Sequence, residues 1–305
     1  MDVNTLAQQR TAMEKDTHKQ QDLSHLATNE INENGFSILK DFFSQKELAV
    51  FEECVVDLFL LQAQKIGEYR NEAIHIQQSS LSNFEKFCSI YEMMELNDKE
   101  ALYQVQKFLT SSPQARALFN DKFIALTGSI LGSKKNSVLI DGPALFVNRP
   151  NTERLLYKWH SEAHYYPKRR RFLNIWLPLF DAKSKDNGTM SFKVGAHKRD
   201  FPFTDYQGYN KDTQNKSNFF IQYEIPPNLL TEYKEHWCEV SPRDLIIFNK
   251  NLPHTSNQNV SGKYSVAVVA RVWDPTDDLT LSGSIAATPY GGNVGRPNLV
   301  VDLLD

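Results

Sequence analysis

His160 and Glu162 stand two residues apart in Trp159-His160-Ser161-Glu162, and His254 comes ninety-four residues later in Pro253-His254-Thr255-Ser256-Asn257. Side chains two apart on an extended segment share a side, so this imidazole and this carboxylate can reach one ion together. His254 follows the apolar run Leu245-Ile246-Ile247-Phe248, a strand that can lie beside the first pair and bring a third ligand. Two imidazoles and one carboxylate with open positions left over form the donor set of a non-haem Fe(II) oxygenase centre. His197 competes for the third place by residue type.

Neighbouring residues suggest what surrounds such a centre. His164, Tyr165 and Tyr166 suit a substrate wall or aromatic packing at its mouth. Lys168-Arg169-Arg170-Arg171 places four cations in a row, which suits recognition of a phosphate or carboxylate, with Arg171 the candidate, or a solvated strand edge. Asn210–Pro227, polar with few apolar anchors, reads as a lid or a surface loop. Gly128-Ser129-Ile130-Leu131-Gly132-Ser133-Lys134-Lys135 lacks phosphate-loop spacing and ends a helix where such a loop must follow a strand. No nucleophile elbow or Cys–His arrangement supports a hydrolase.

The elements that must carry these residues divide the chain of 305 residues in two. Residues 1–30, rich in Gln, Lys, Asp and Thr, read as a flexible arm or a marginal helix. A short strand over Gly35–Lys40 precedes a capping box, Ser44-Gln45-Lys46-Glu47. Leu48, Phe51, Val55, Leu58, Phe59 and Ala63 then recur at helical steps and predict a helix over Gln45–Gly67. Further helices are predicted over Asn83–Met94, Asp98–Thr110 and Pro113–Leu131. Past Ser137 the pattern changes to short β-branched or aromatic runs, namely Val138–Val147, Phe172–Leu179, Phe219–Glu224, Asp244–Phe248 and Tyr264–Trp273. Helices followed by strands indicate an α+β chain whose second half is a sandwich or barrel.

Composition narrows the function. The net charge of −3 provides no basic field for nucleic acid or an anionic membrane. Three cysteines without a CxxC pair exclude a disulfide framework and a thiolate zinc site, and point to a reducing compartment. The first thirty residues lack a signal-peptide apolar stretch and no window is apolar enough to span a bilayer, so the expectation is a soluble cytoplasmic protein.

Over about residues 30 to 275 the chain resembles the phytanoyl-CoA dioxygenase family of Fe(II)/2-oxoglutarate oxygenases. Asn34-Gly35-Phe36-Ser37-Ile38-Leu39-Lys40-Asp41-Phe42-Phe43 is similar to the family's first strand and loop. Trp159-His160-Ser161-Glu162 resembles its metal motif, and Asn174-Ile175-Trp176-Leu177-Pro178-Leu179 the strand that follows. Asn187-Gly188-Thr189-Met190 with Gly195-Ala196-His197 resembles its Gly-rich turn and Gly-Ser-His segment, which makes His197 a turn residue. His254-Thr255-Ser256-Asn257-Gln258-Asn259 resembles the distal-histidine motif.

The resemblance implies a double-stranded β-helix, a cupin-like jelly roll, with a helical N-terminal layer. It implies one oxygenase domain over 31–305, with a helical layer at 31–135, the jelly-roll core at 136–275 and an extension at 276–305. Fe(II) is implied at His160, Glu162 and His254, with 2-oxoglutarate and O2 as cosubstrates and succinate formed as a substrate is oxidised. Two positions depart from the family pattern. Glu162 replaces the usual Asp and lengthens the carboxylate arm by a methylene. Ser265, eleven residues after His254, stands where an Arg grips the far carboxylate of 2-oxoglutarate, and a hydroxyl cannot form that bidentate pair. Arg271, six residues further along the same strand, is the leading replacement, ahead of Arg171, Asn174 and Lys263, with Asn148 available for the nearer carboxylate.

The expected activity is hydroxylation of a small or medium polar metabolite in natural-product or surface-sugar assembly, with no nucleic-acid or membrane partner. Ser265 keeps two alternatives open, a jelly-roll binding protein and a metal enzyme that works without 2-oxoglutarate.

Overall fold

The computed structural model describes residues 21–97, 99–133, 137–152, 156–165, 171–207 and 221–274. Tyr166, Lys168, Arg169, Arg170, residues 210–220 of Asn210–Pro227 and the extension at 276–305 lie outside them.

Of the two readings of the first thirty residues, the helix holds at their end, where residues 21–34 form α1. Leu23, Ala27 and Ile31, four residues apart, share one face and pack on the main core. The polar residues between them hid that stripe. β1 (Phe36–Leu39) leads into α2 (Gln45–Lys65). The box at its start forms as predicted: Ser44 Oγ accepts from the Glu47 N–H, and Glu47 Oε2 accepts from the Ser44 N–H at 2.7 Å. Leu48, Phe51, Val55, Phe59 and Ala63 of its predicted face are buried.

A helix without a forecast, α3 (Arg70–Gln78), precedes α4 (Asn83–Asn97) and α5 (Lys99–Ser111). The single helix predicted over Pro113–Leu131 is two, α6 (Pro113–Ala117) and α7 (Asp121–Leu131). Asn120 separates them with an extended backbone, ψ 178°, and its side-chain oxygen caps the Phe123 N–H at 3.1 Å.

The second half is antiparallel sheet. β2 (Leu139–Asn148), β3 (Phe172–Leu179), β8 (Leu245–Asn249) and β10 (Ser265–Trp273) join β1 in a five-stranded sheet of order β1-β8-β3-β10-β2. β4 (Met190–Lys193), β7 (Glu235–Trp237) and β9 (His254–Ser256) form a second sheet of order β7-β4-β9, and β5 (Thr204–Gln207) pairs with β6 (Ile221–Glu224).

The large sheet is covered on both faces, which is why every residue of β3 is buried. On β10, Val266, Val268, Ala270 and Val272 pack into the helical core. Ala267 and Val269 alternate with them and pack toward the second sheet. A site between the sheets therefore draws on every second residue of β3 and β10. No described helix is long and apolar enough to cross a membrane.

Candidate active site

The separation between His160 and His254 closes through the backbone. The two residues form an antiparallel bridge, His160 N–H to His254 O at 3.0 Å and His254 N–H to His160 O at 2.9 Å. His254 opens β9, whose pairing with β4 sets Phe192 opposite it. Ser161 is extended (φ −124°, ψ 149°), so Glu162 returns to the side of His160 before a short 3-10 turn over Glu162–His164 begins. One ligand atom from each of His160, Glu162 and His254 lies within 4.8 Å of the others.

Backbone carbonyls orient both imidazoles. His160 Nδ1 is 2.6 Å from the Lys158 carbonyl and His254 Nδ1 is 2.9 Å from that of Leu252. A carbonyl only accepts, so each Nδ1 carries the proton and each Nε2 presents a lone pair. Those two Nε2 atoms are 3.9 and 3.8 Å from Glu162 Oε1. Burial, and then the His254 ring beside it, push His160 down to about 3, so it stays neutral. Burial works to raise the Glu162 carboxyl, but the Arg271 guanidinium outweighs it and holds the group well below the usual carboxylate range. Two imidazole nitrogens and one anionic carboxylate oxygen fit a divalent metal that takes imidazole and carboxylate ligands.

These groups open on a cavity of about 160 Å³, walled by Phe146, Tyr157, Tyr165, Trp176, Met190 and Phe248. Asn174 and its cross-strand partner Arg271 also line it. Arg271 donates from Nε at 3.0 Å and Nη2 at 2.6 Å to Glu162 Oε2. Asn174 Nδ2 is buried without a hydrogen-bond partner. A buried donor of that kind fits an acceptor ligand such as a carboxylate, so the cavity suits the cosubstrate as well as the metal.

The remaining predicted positions divide. Asn148 spends both amide protons on the carbonyls of Gly188 (3.3 Å) and Asn257 (3.0 Å), leaving Oδ1 buried and without a partner. Ser265, opposite Asn148 on β10, accepts a hydrogen bond from Lys183 Nζ at 2.7 Å. His164 lies against Phe203, ring centroids 4.3 Å apart, with Tyr223 at 6.2 Å. Arg171, expected at the substrate, is turned to the carboxylate of Asp274 and the Leu131 carbonyl at the end of α7. That is a correction, because Asp274 after β10 and the last turn of α7 together hold its guanidinium. His197 sits in the turn after β4 against Gly35 and is not in the ligand cluster.

Sequence reasoning passed over Lys183. It falls in Asp181-Ala182-Lys183-Ser184-Lys185-Asp186, a polar run that reads as a solvated turn, yet only 3% of it is exposed. Nothing in the local pattern distinguishes it from Lys185.

Comparison with known proteins agrees with this architecture. The sequence profile of a family described as phytanoyl-CoA dioxygenase matches residues 31–266. No curated protein matches the chain. Similar solved structures include EctD from S. alaskensis with 2-oxoglutarate and 5-hydroxyectoine, at 16% identity and TM-score 0.53, covering 81% of this chain and 74% of that one. EvdO2 from Micromonospora carbonacea var. aurantiaca matches at 15% identity and TM-score 0.51, covering 82% and 90%. SnoK, a non-heme alpha ketoglutarate dependent carbocyclase from nogalamycin biosynthesis, matches at 14% identity and TM-score 0.50, covering 85% and 90%.

Proposed function

The chain belongs to the phytanoyl-CoA dioxygenase family, and from that premise we propose that it hydroxylates a small or medium polar metabolite as an Fe(II)- and 2-oxoglutarate-dependent dioxygenase. Residues 31–305 act as one catalytic domain, and its two sheets are read as a double-stranded β-helix. The observation that carries the reading is the convergence of two Nε2 lone pairs on Glu162 Oε1 beside a cavity with an unpaired amide donor.

His160, Glu162 and His254 hold the iron. Fe(II), 2-oxoglutarate and O2 supply oxidative decarboxylation of the cosubstrate, coupled to oxidation of a substrate C–H bond. Lys158 and Leu252 fix the imidazole tautomers through their carbonyls. Arg271 takes up one carboxylate oxygen of Glu162 and leaves the other for the metal. Asn174 donates to a carboxylate or to substrate in the same cavity. Phe146, Trp176 and Phe248 exclude water, which protects reactive species from side reactions. His164, beside Phe203 and Tyr223, contributes to the substrate wall.

The metabolite class is suggested by the 5-hydroxyectoine in the EctD structure and the nogalamycin setting of SnoK. Three free cysteines suit a reducing compartment, the cytoplasm. The test is incubation of the Fe(II)-loaded protein with 2-oxoglutarate, O2 and a panel of small polar metabolites. The expected result is succinate together with a product heavier by one oxygen atom, both lost in His160→Ala. No succinate and no oxygen insertion from the wild type would overturn the reading.

A further inference from the structure

A cosubstrate that chelates iron through its 2-oxo acid end leaves a second carboxylate inside the protein, and a buried anion needs a cation. Arg271, the replacement expected from sequence, is engaged with Glu162 by two hydrogen bonds. Lys183 offers a different solution. Its backbone is held on both sides by Val240, N–H to O at 2.8 Å and O from N–H at 3.1 Å. Its amine reaches Ser265 Oγ at 2.7 Å. An ammonium carries three donors, and one hydroxyl with the Asp181 carboxylate nearby is poor compensation for a buried charge.

The register places this pair next to the cavity. Ser265 alternates along β10 with Ala267, Val269 and Arg271, and the last two line the cavity. Its cross-strand partner Asn148 lies two residues beyond Phe146, another lining residue, and presents the unpaired Oδ1. The carbonyl bound by Asn148 Nδ2 is that of Asn257, three residues after His254 and so roughly 10 Å along a strand. A metal–ligand bond plus an extended five-carbon acid covers a span of that size.

We propose that Lys183, with the Ser265 hydroxyl, binds the far carboxylate of 2-oxoglutarate in the place where the resemblance leads one to expect an arginine. The inference rests on the 2-oxoglutarate-dependent reading above. It removes the objection that Ser265 raised, since the cation arrives from a different strand connection. Burial pushes the free amine down to about 7, so binding the dianion above that pH takes up a proton.

The test is an anaerobic titration of the Fe(II) protein with 2-oxoglutarate and, separately, with 2-oxovalerate, which has the same chain length but no far carboxylate. The readout is the visible charge-transfer band of the chelate, with no turnover involved. The wild type should prefer 2-oxoglutarate by about a hundredfold, the scale of a charge-assisted pair. Lys183→Met should lose most of that preference while keeping Fe(II) and 2-oxovalerate affinity, and Lys183→Arg should keep part of it. Wild-type affinity for 2-oxoglutarate should fall by up to about tenfold per pH unit above neutrality, with no such slope for 2-oxovalerate. Unchanged preference in Lys183→Met overturns the assignment. Should that variant fail to fold, equal wild-type affinity for the two acids, or a flat pH profile, overturns it instead. A band with neither acid overturns the assignment together with the dioxygenase reading, whereas a band with both acids at equal affinity overturns the assignment alone.

Discussion

Arg271 donates two hydrogen bonds to one oxygen of Glu162, Oε2, while Oε1 faces His160 and His254. The guanidinium thus divides the carboxylate into a held atom and a presented atom. Arg271→Met is expected to lower Fe(II) affinity by about ten- to a hundredfold, the usual effect of losing a partner that orients a metal ligand. Isothermal titration with Fe(II) or Mn(II) checks this. Wild-type affinity in the variant would show that Glu162 is oriented without it.

His160→Ala and His254→Ala are expected to abolish iron occupancy and leave the fold intact. Both imidazoles sit at the end of a cavity with Nδ1 on a backbone carbonyl, so their loss removes no large part of the apolar core. Metal analysis alongside circular dichroism reads both effects. Full occupancy in both variants would remove these residues from the ligand set.

Asn174 Nδ2 is a buried donor without a partner, which costs stability as long as no ligand accepts its hydrogen bond. Asn174→Leu should therefore raise the thermal midpoint of the metal-free protein. It should also weaken 2-oxoglutarate or substrate binding by about tenfold, the scale of one hydrogen bond to a charged acceptor. A variant that is both less stable and fully competent in binding would contradict this.

Lys183 gives stability a pH dependence of definite sign. Its amine titrates near 7 in the folded protein and at 10.5 ordinarily, so between these values the unfolded chain holds a proton that the folded one has lost. Stability then rises with pH in that window, and below it the slope disappears. From pH 7.5 to 9 the wild type should gain on Lys183→Met by up to about 1.4 kcal/mol per pH unit. Urea unfolding of the cosubstrate-free proteins at several pH values measures the difference, and a constant difference would refute the shift.

Gly188 is held at φ +76°, and a Cβ there would lie 2.3 Å from Asn148 Nδ2 and 2.7 Å from the Asn257 carbonyl. Gly188→Ala should destabilise the protein by about 2 kcal/mol or more, combining left-handed strain with the clash. It should also loosen the Asn148–Asn257 contact beside Ser265. Chemical denaturation tests the first effect, and a 2-oxoglutarate titration the second.

Much of this arrangement was legible along the chain because its causes are local. The capping box, the buried face of α2, the strands β3 and β10 and the two-residue spacing of His160 and Glu162 all follow from periods of 3.6 or 2. The same local reading left two choices open where polar residues surround a sparse stripe, as in α1, and failed where a single cap divides a long helical pattern, as at Asn120.

Tertiary structure decided which distant groups meet, because strand pairing and burial join residues whose neighbours in sequence carry no trace of the contact. The antiparallel bridge brought His254 rather than His197 to Glu162. Register set Arg271 on Glu162 and turned Arg171 to Asp274, although both arginines belong to the same sheet region. Burial, invisible in a run of polar residues, separated Lys183 from Lys185 and drew its amine to Ser265. Residue types and short spacings determined the chemistry this protein can perform, while the pairing of β9 with β4 and of β10 with β2 and β3 decided where each charge resides.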